Sequence, residues 1–359
     1  MKPTSPYIHP KFQLNGLSFS NAEELLNFAD GLQQEGDDFE VSMANFLEEW
    51  LNFKEYITVQ TSGSTGTPKT IQLKKEQMIQ SAIATGGYFK VGEGTKALLC
   101  LSSDYIAGKM MLVRGMVLGW DLHVVAPEKD ALVEYDNPYD FVALVPYQLY
   151  HSIEALDKVK KIIIGGGEVS EELEGMLQEL PVEAFATYGM TETITHVAAR
   201  RINGFARSEV YYALPNVKFR TDDRGCLVIQ APKISDVEVV TNDLVELISP
   251  ISFKWLGRYD FVINSGGVKL NPETIERKLR SKISCPFIIA SEEDPALGQK
   301  VILVVEDTSE TPSDYAEIFT VLEPYERPKK VYTLSKFPYT ETGKIKRSQI
   351  SEVLRRYRK

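Results

Sequence analysis

The chain has 359 residues, 43% hydrophobic and 25% charged, with a formal net charge of −10. At roughly 150 residues per domain that length suggests about two domains, and the composition excludes a collagen-like, disordered or coiled-coil chain. The acidity argues against a nucleic-acid binder, no apolar run approaches the ~20 residues of a membrane span, and MKPTSPYIHPKF lacks the apolar stretch of a signal peptide.

In chain order, the first ~60 residues read as helices, with helical apolar spacing over Ala22–Leu32 and Phe39–Phe53. Short apolar strands then alternate with helical stretches. Ala97–Leu101, Leu122–Ala126, Phe141–Val145, Ile162–Ile164 and Ala184–Thr187 are the expected strands. Tyr147–Leu156 and Glu171–Leu180 are expected helices, the second capped by Ser170. Strands separated by helices imply a parallel sheet and an α/β fold. After residue ~200 the pattern turns antiparallel. Val217–Arg220 and Cys226–Gln230 flank a hairpin turn, and Val237–Val240 and Leu244–Ile248 flank another. From Gly257 onward the elements mix again: strand Phe261–Asn264, helix Glu273–Lys282, strands Phe287–Ala290 and Val301–Val305, helix Asp314–Leu322 and a basic helix Ser348–Arg358.

Charge changes sign along the chain. Residues 258–359 hold 18 Lys and Arg against 15 Asp and Glu, a balance of +3, which leaves −13 for the remainder. The expected organisation is a large α/β domain over residues 1–257, with mixed parallel sheets and a small β-rich subdomain, followed by a small α+β domain over 258–359. Cys100, Cys226 and Cys285 are too few and too scattered for a disulfide framework, which suits a reducing cytoplasm. His9, His123, His151 and His196 show no metal-ligand spacing.

The segment most informative about chemistry is Thr61-Ser62-Gly63-Ser64-Thr65-Gly66-Thr67-Pro68-Lys69. Glycines let a turn present successive N–H groups to phosphate oxygens, hydroxyls add donors, and the lysine adds charge. A flexible linker is the alternative, but a linker has no need of the terminal Pro-Lys. The spacing is not a Walker loop, because Pro68 stands where the second glycine belongs and a strand-like Thr70–Leu73 follows. It is not a nucleophile elbow either, because Ser62 replaces the first glycine. Ile162–Ile164 runs into Gly165-Gly166-Gly167-Glu168, placing bare backbone at a strand's carboxyl end, where α/β proteins bind ligands. Tyr188-Gly189-Met190-Thr191-Glu192 also follows a strand and offers a stacking ring, a hydroxyl donor and a hard oxygen ligand for Mg²⁺.

Five such segments occur in one order: Thr61–Lys69, Ile164–Glu168, Ala186–Thr193, Gly257–Asp260 with Ser265-Gly266-Gly267, and Pro338–Arg347. Together they resemble the adenylate-forming enzymes, the family of acyl-CoA synthetases, adenylation domains and luciferases. The resemblance implies ATP, Mg²⁺ and coenzyme A as cofactors and co-substrates, and a carboxylic acid as the small-molecule partner, with no nucleic-acid or membrane partner. It assigns the β,γ-phosphates to Thr61, Ser62, Gly63, Ser64, Thr65, Gly66 and Lys69. It gives the adenine edge to Gly166, Gly167 and Glu168, and the base, phosphate and metal to Tyr188, Gly189, Met190, Thr191 and Glu192. Asp243 matches the aspartate that holds the ribose hydroxyls, with Asn242 in place of the usual glycine, and Arg258 matches an arginine on the ribose or phosphate side. Asp260 matches a hinge about which the small domain swings, Ser265-Gly266-Gly267 the lining of the thiol channel, and Lys344 the catalytic lysine of adenylation.

The chain is short for the family, and Leu101–Leu118, with Ile106-Ala107-Gly108 and Arg114, resembles the ligand wall of members that act on 2-succinylbenzoate in menaquinone synthesis. Tyr105 stands where those members have His. That substrate's second carboxylate needs a donor or cation, for which Thr195, His196, Lys109, Arg200 and Arg201 are candidates. The alternatives are a ligase for another aryl or fatty acid, an enzyme that loads a carrier protein, and a non-catalytic nucleotide-binding relative. The sequence leaves the oligomeric state open, a homo-oligomer included.

Overall fold

Capping chemistry sets the first two helices. The Asn21 side chain accepts the Glu24 N–H at the start of α1 (Ala22–Glu35), and Glu40 takes the Asp37 N–H at the start of α2 (Asp38–Leu51). In α2 the buried positions Met43, Phe46, Leu47 and Trp50 recur every three or four residues, so one stripe faces the core. These elements belong to a computed structural model that describes residues 7–60, 70–309, 311–312, 314–339 and 345–356.

Packing divides the chain into two units. The first takes in residues 1–219, 229–239 and 249–252; the second takes in 220–228, 240–248 and 253–359. The strands of the first are β1 (Gln13–Leu14), β2 (Leu17–Ser18), β3 (Tyr56–Gln60), β4 (Thr70–Lys74), β5 (Lys96–Leu99), β6 (Asp121–Val124), β7 (Tyr139–Leu144), β8 (Val159–Ile164), β9 (Glu183–Gly189), β10 (His196–Arg201) and β11 (Val210–Ala213). Its remaining helices are α3 (Lys75–Phe89), α4 (Ile106–Leu118), α5 (Pro146–His151) and α6 (Glu171–Met176). The order β11-β10-β9-β8-β7-β5-β6-β1-β2 forms one sheet. From β9 through β1 its pairs are parallel, and β10 and β11 close it antiparallel. Apolar runs such as Phe141–Leu144 and Ile162–Ile164 are buried, as parallel strands covered on both faces require. β3 and β4 pair separately, and the Gln60–Thr70 pair brings together the two ends that flank residues 61–69.

α4 decides the character of the site. Gly108 and every residue from Met110 to Val117 are buried, so the helix is enclosed on all sides over Met110–Val117, and it packs on α3. A helix that is apolar all round belongs in a core, and Arg114 goes in with it. Gly108 sits at a contact where a Cβ would stand 2.2 Å from the Ser102 carbonyl oxygen, so only glycine fits there.

The second unit contains most of β12 to β15 (Lys218–Thr221, Cys226–Gln230, Val239–Ser249, Ser252–Arg258), which neighbour one another in that order. Its other strands are β16 (Ile263–Ser265), β17 (Val268–Leu270), β18 (Phe287–Asp294), β19 (Gly298–Glu306) and β20 (Lys330–Leu334), ordered β17-β16-β19-β18 with β20 parallel to β19. Alternation along β18 and β19 serves two layers. Ile289, Val301, Leu303 and Val305 pack with Ile275 and Leu279 of α7 (Pro272–Leu279), while Ile288, Ile302 and Val304 pack with Ile350 and Leu354 of α8 (Arg347–Arg356).

Several expected elements differ. Val237–Val240 and Leu244–Ile248 are not two strands around a turn: β14 runs unbroken through Thr241-Asn242-Asp243. Side-chain bonds satisfy those polar residues within the strand. The Thr241 hydroxyl donates to the Leu227 carbonyl, and Asn242 accepts from Arg224. The expected helix Asp314–Leu322 is a single 3₁₀ turn, Ile318–Val321, because the Asp314 carboxylate captures the Ala316 N–H and Pro324 follows closely. Phe261 ends a 3₁₀ turn, and the strand begins only at Ile263. The helix expected over Tyr147–Leu156 is α5 followed by a 3₁₀ turn from Ile153 to Lys158, and α6 stops at Met176, next to Gly175. Tyr56–Gln60, inside the stretch expected to be helical, is β3.

Candidate active site

Register places two turns side by side at the carboxyl edge of the parallel sheet. Ile164 pairs with Ala186, so the glycine turn after β8 and the tyrosine-bearing end of β9 are neighbours. The Thr187 hydroxyl donates to the Ile164 carbonyl at 3.0 Å and ties them together. Gly166 has φ +76°, a conformation natural to glycine. Gly166, Gly167 and Glu168 are exposed along this edge, and the Tyr188 ring meets Tyr211 edge-on at 6.0 Å. Beyond Gly189 and Met190, the 3₁₀ turn Thr191–Thr193 carries Glu192 into solvent. Among the described residues no cluster of three or more His, Cys, Asp or Glu could hold a metal ion. Glu192 is a single exposed carboxylate, a donor set that fits Mg²⁺, which binds through one or two carboxylates plus phosphates and water.

The next residues are strained. Ile194 has φ 65° and ψ −59°, and the Thr195 N–H reaches back to the Thr193 carbonyl at 2.7 Å, making a γ-turn with a left-handed centre. A β-branched residue there is an outlier of the kind that collects at functional sites. Surroundings hold it: the Thr193 hydroxyl lies 3.0 Å from the Met190 carbonyl and 2.8 Å from the Thr195 carbonyl, and Gly189 leaves no room for a Cβ against Thr195 and His196. A register shift between His196 and Ala198 follows.

This turn delivers Thr195 and His196 to Arg114. Arg114 is 2% exposed and His196 4%. Arg114 Nη2 lies 3.3 Å from Thr195 Oγ1 and 3.5 Å from His196 Nδ1, and Nη1 lies 3.6 Å from Met111 Sδ. Among the described residues Nε has no hydrogen-bond partner and no carboxylate pairs with this guanidinium. Burial pushes its pKa down from 12.5 to about 9. His196 is held well below its ordinary pKa by burial and then by the Arg114 charge, so it is neutral. The other proposed substrate contacts lie elsewhere. Arg200 is paired with the buried Glu174, Arg201 lies 3.6 Å from Glu183, and Lys109 stands 4.9 Å over the Phe46 ring. Arg114 itself carries a signal in the sequence, a cation inside the apolar run Met110–Leu118.

In the second unit, β14 and β15 bring Asp243 and Arg258 together. Asp243 is 6% exposed; its Oδ1 lies 3.3 Å from Trp255 Nε1 and 3.6 Å from Arg258 Nε. Arg258 Nη2 reaches Asp260 Oδ2 at 3.3 Å, and Asn242 Nδ2 lies 3.3 Å from both Asp260 oxygens. Trp255, which no motif marks, is thus a member of this polar cluster, and so is Asn242, which stands in place of the usual glycine. Ser265-Gly266-Gly267 forms the tip of the β16–β17 hairpin, with φ +61° and +85° at the two glycines, as a type I′ turn requires. Thr61–Lys69 and Lys344 lie outside the described residues.

The family model described as AMP-binding enzyme matches residues 25–228, more than half of the chain. The chain belongs to the AMP-binding enzyme family. Its fold matches that of the adenylate-forming enzymes. It is similar to the 2-succinylbenzoate–CoA ligase of Haemophilus influenzae, at 25% identity over 71% of this chain and 60% of that protein. The Escherichia coli enzyme of the same name is 24% identical over 80% of this chain and 66% of its own length. The chain thus spans about three-fifths to two-thirds of these two relatives. A solved acyl-CoA synthetase (AMP-forming)/AMP-acid ligase II-like protein from Dyadobacter fermentans is 37% identical, with a TM-score of 0.62, over 91% of this chain and 98% of that one. The o-succinylbenzoate CoA synthetase of Bacillus subtilis, solved with ATP and magnesium ion, shares the fold at 19% identity and a TM-score of 0.70, over 92% of this chain and 82% of that one. No described helix is long and apolar enough to cross a membrane.

Proposed function

We propose that the chain is an ATP-dependent acid–CoA ligase that works through an acyl-adenylate, and that its acid is 2-succinylbenzoate. First, a carboxylate oxygen of the acid bonds to the α-phosphorus of ATP, the bond to the bridging β-phosphate oxygen breaks, and pyrophosphate leaves. Next, the CoA sulfur, losing its proton, bonds to the acyl carbon, the carbon–oxygen bond breaks, and AMP leaves. The names of the relatives support this chemistry.

In this reading Thr61–Lys69 binds the β,γ-phosphates, and Gly166, Gly167 and Glu168 border the adenine on which Tyr188 stacks. Asp243 accepts from the ribose hydroxyls, beside Arg258. Thr191 donates to phosphate, and Glu192 holds Mg²⁺, which offsets phosphate charge when bound. Lys344 bridges the attacking carboxylate and the α-phosphate. The small domain, residues 258–359, then swings about Asp260, removing Lys344 and presenting Ser265-Gly266-Gly267 to the thiol. A reducing cytoplasm suits both the CoA thiol and three buried cysteines.

The observation that carries the choice of acid is Arg114. An uncompensated guanidinium in an apolar helix is costly unless an anion joins it. A diacid supplies one: the succinyl carboxylate reacts, and the ring carboxylate pairs with Arg114 and Thr195. Steady-state kcat/KM across an acid panel tests this. Benzoate, phenylacetate and medium-chain fatty acids should be poorer than 2-succinylbenzoate by at least ~10²-fold, because a buried polar site rejects ligands that leave it unpaired. A fatty or simple aryl acid outperforming 2-succinylbenzoate overturns the diacid. Absence of pyrophosphate release with every acid of the panel, CoA present or absent, favours a non-catalytic nucleotide-binding relative.

A further inference from the structure

We infer that His196 is a positioning residue, a neutral acceptor locked in one tautomer that aims Arg114 at the ring carboxylate without neutralising it. The inference rests on the reading of Arg114 as the carboxylate binder and adds the device that makes Arg114 usable.

The tautomer follows from donor arithmetic. His196 Nδ1 faces Arg114 Nη2 and Thr195 Oγ1, each at 3.5 Å; Arg114 has only donors, so a bond between the guanidinium and the imidazole forms only with Nδ1 as acceptor. The imidazole proton is then on Nε2, which lies 3.1 Å from Thr85 Oγ1. The Thr85 hydroxyl takes that bond as acceptor, because its own hydrogen goes to the Ser81 carbonyl at 3.0 Å, one helical turn back in α3. The chain therefore runs in one direction: Arg114 to His196 Nδ1, His196 Nε2 to Thr85, Thr85 to the backbone. The opposite tautomer would break the bond to Arg114, leave Nδ1–H only the Thr195 hydroxyl as acceptor beside a guanidinium N–H, and set Nε2 against a hydroxyl whose hydrogen goes to Ser81. Phe89, with its ring centre 5.9 Å away and edge-on, keeps the imidazole from turning.

The choice of residue has a consequence for charge. A carboxylate at position 196 would also hold Arg114, but it would satisfy the guanidinium and compete with the substrate anion. Imidazole holds it through one neutral bond and leaves Nε–H unpartnered. His196 stays neutral in this position, because burial and the adjacent cation both oppose its protonation. The strained turn at Ile194 is what brings the ring to this place.

The test compares 2-succinylbenzoate with 4-oxo-4-phenylbutanoate, which has the reacting arm and lacks the ring carboxylate. His196→Leu should raise KM for the diacid roughly 10- to 100-fold, the value of one or two hydrogen bonds to a charged group. It should lower kcat/KM for the diacid at least ~10-fold more than for the monoacid. His196→Asn, which keeps an acceptor near Nδ1, should recover part of the loss. Thr85→Val, a milder change kept in case His196→Leu does not fold, should shift diacid KM in the same direction by releasing the tautomer. Equal losses for both acids in His196→Leu, no loss, or no recovery in His196→Asn would overturn the positioning role. Arg114→Met separates the two layers of the argument. If Arg114→Met lowers kcat/KM equally for diacid and monoacid, the carboxylate reading is wrong; if it lowers the diacid selectively while His196→Leu does not, only the role of His196 is wrong.

Discussion

Replacing Arg114 by methionine should stabilise the ligand-free protein while it damages diacid recognition. The fall of the guanidinium pKa from 12.5 to about 9 is worth roughly 5 kcal/mol in favour of the neutral form. The fold carries that cost at neutral pH. Set against it are contacts of 3.3, 3.5 and 3.6 Å, to Thr195, His196 and the Met111 sulfur. Losing them and leaving two acceptors short of a donor costs about 2–4 kcal/mol in all. Methionine is unbranched and fills the volume of the arginine stem. The expected net gain is about 1–3 kcal/mol, within the range by which apolar replacements of buried charges stabilise proteins. The sign with pH follows: a base whose folded pKa is depressed carries its full penalty below about 9, so the advantage of the variant should be level from pH ~7 to 8.5. Thermal unfolding without ligand measures it, and added 2-succinylbenzoate should raise the melting temperature of the original protein and not of the variant. A variant that melts lower than the original would mean that the charge is already compensated, and the anion-seeking site would fall.

Glu273 is 8% exposed, with a pKa raised from 4.5 to about 7, chiefly by burial. The unfolded chain releases this proton first, so stability falls as pH rises from 4.5 through 7, and Glu273→Gln should gain up to about 3 kcal/mol at pH 8, vanishing near pH 4.5. Chemical denaturation at the two pH values decides it, and equal differences at both would remove the assignment. Asp243→Ala should weaken ATP binding by roughly 10- to 100-fold, the value of charge-assisted bonds to ribose, with far-UV circular dichroism unchanged; unaltered affinity by calorimetry would leave Asp243 a purely structural partner of Trp255 and Arg258. Lys344→Ala should nearly abolish adenylate formation and spare thioester formation from supplied adenylate; equal loss in both half-reactions would contradict the domain swing.

Much of this architecture was legible because local signals and burial agreed. The runs Phe141–Leu144 and Ile162–Ile164 read as buried parallel strands and are so. Ser170 reads as a helix cap and accepts the Leu173 N–H. Elements differ from expectation where side chains, near or far along the chain, take up polar groups that a helix or turn would otherwise satisfy. Thr241-Asn242-Asp243 looks like a turn from its composition, yet Arg224 and the Leu227 carbonyl satisfy it inside a strand. The helix expected over Asp314–Leu322 lost to an aspartate side chain competing for backbone N–H. In the site, Thr195 and His196 follow the tyrosine-bearing motif in sequence, and they share one buried network. Arg114 is legible as a cation inside an apolar run, but its lack of a counter-charge is a property of packing. Nothing in the composition around Ile194 announces its left-handed backbone, which the crossing of Gly189 over Thr195 and His196 supports.

The central claim is that an acyl-adenylate lies on the path to the thioester. Incubating the protein with ATP, CoA and 2-succinylbenzoate labelled with heavy oxygen in both carboxylates tests it directly, with the products read by mass spectrometry. Attack on the α-phosphorus followed by loss of AMP leaves one labelled oxygen in every AMP and none in pyrophosphate, and the thioester forms in equal amount. Unlabelled AMP, label in a phosphate released from the γ-position, or ATP turnover without thioester would contradict the account.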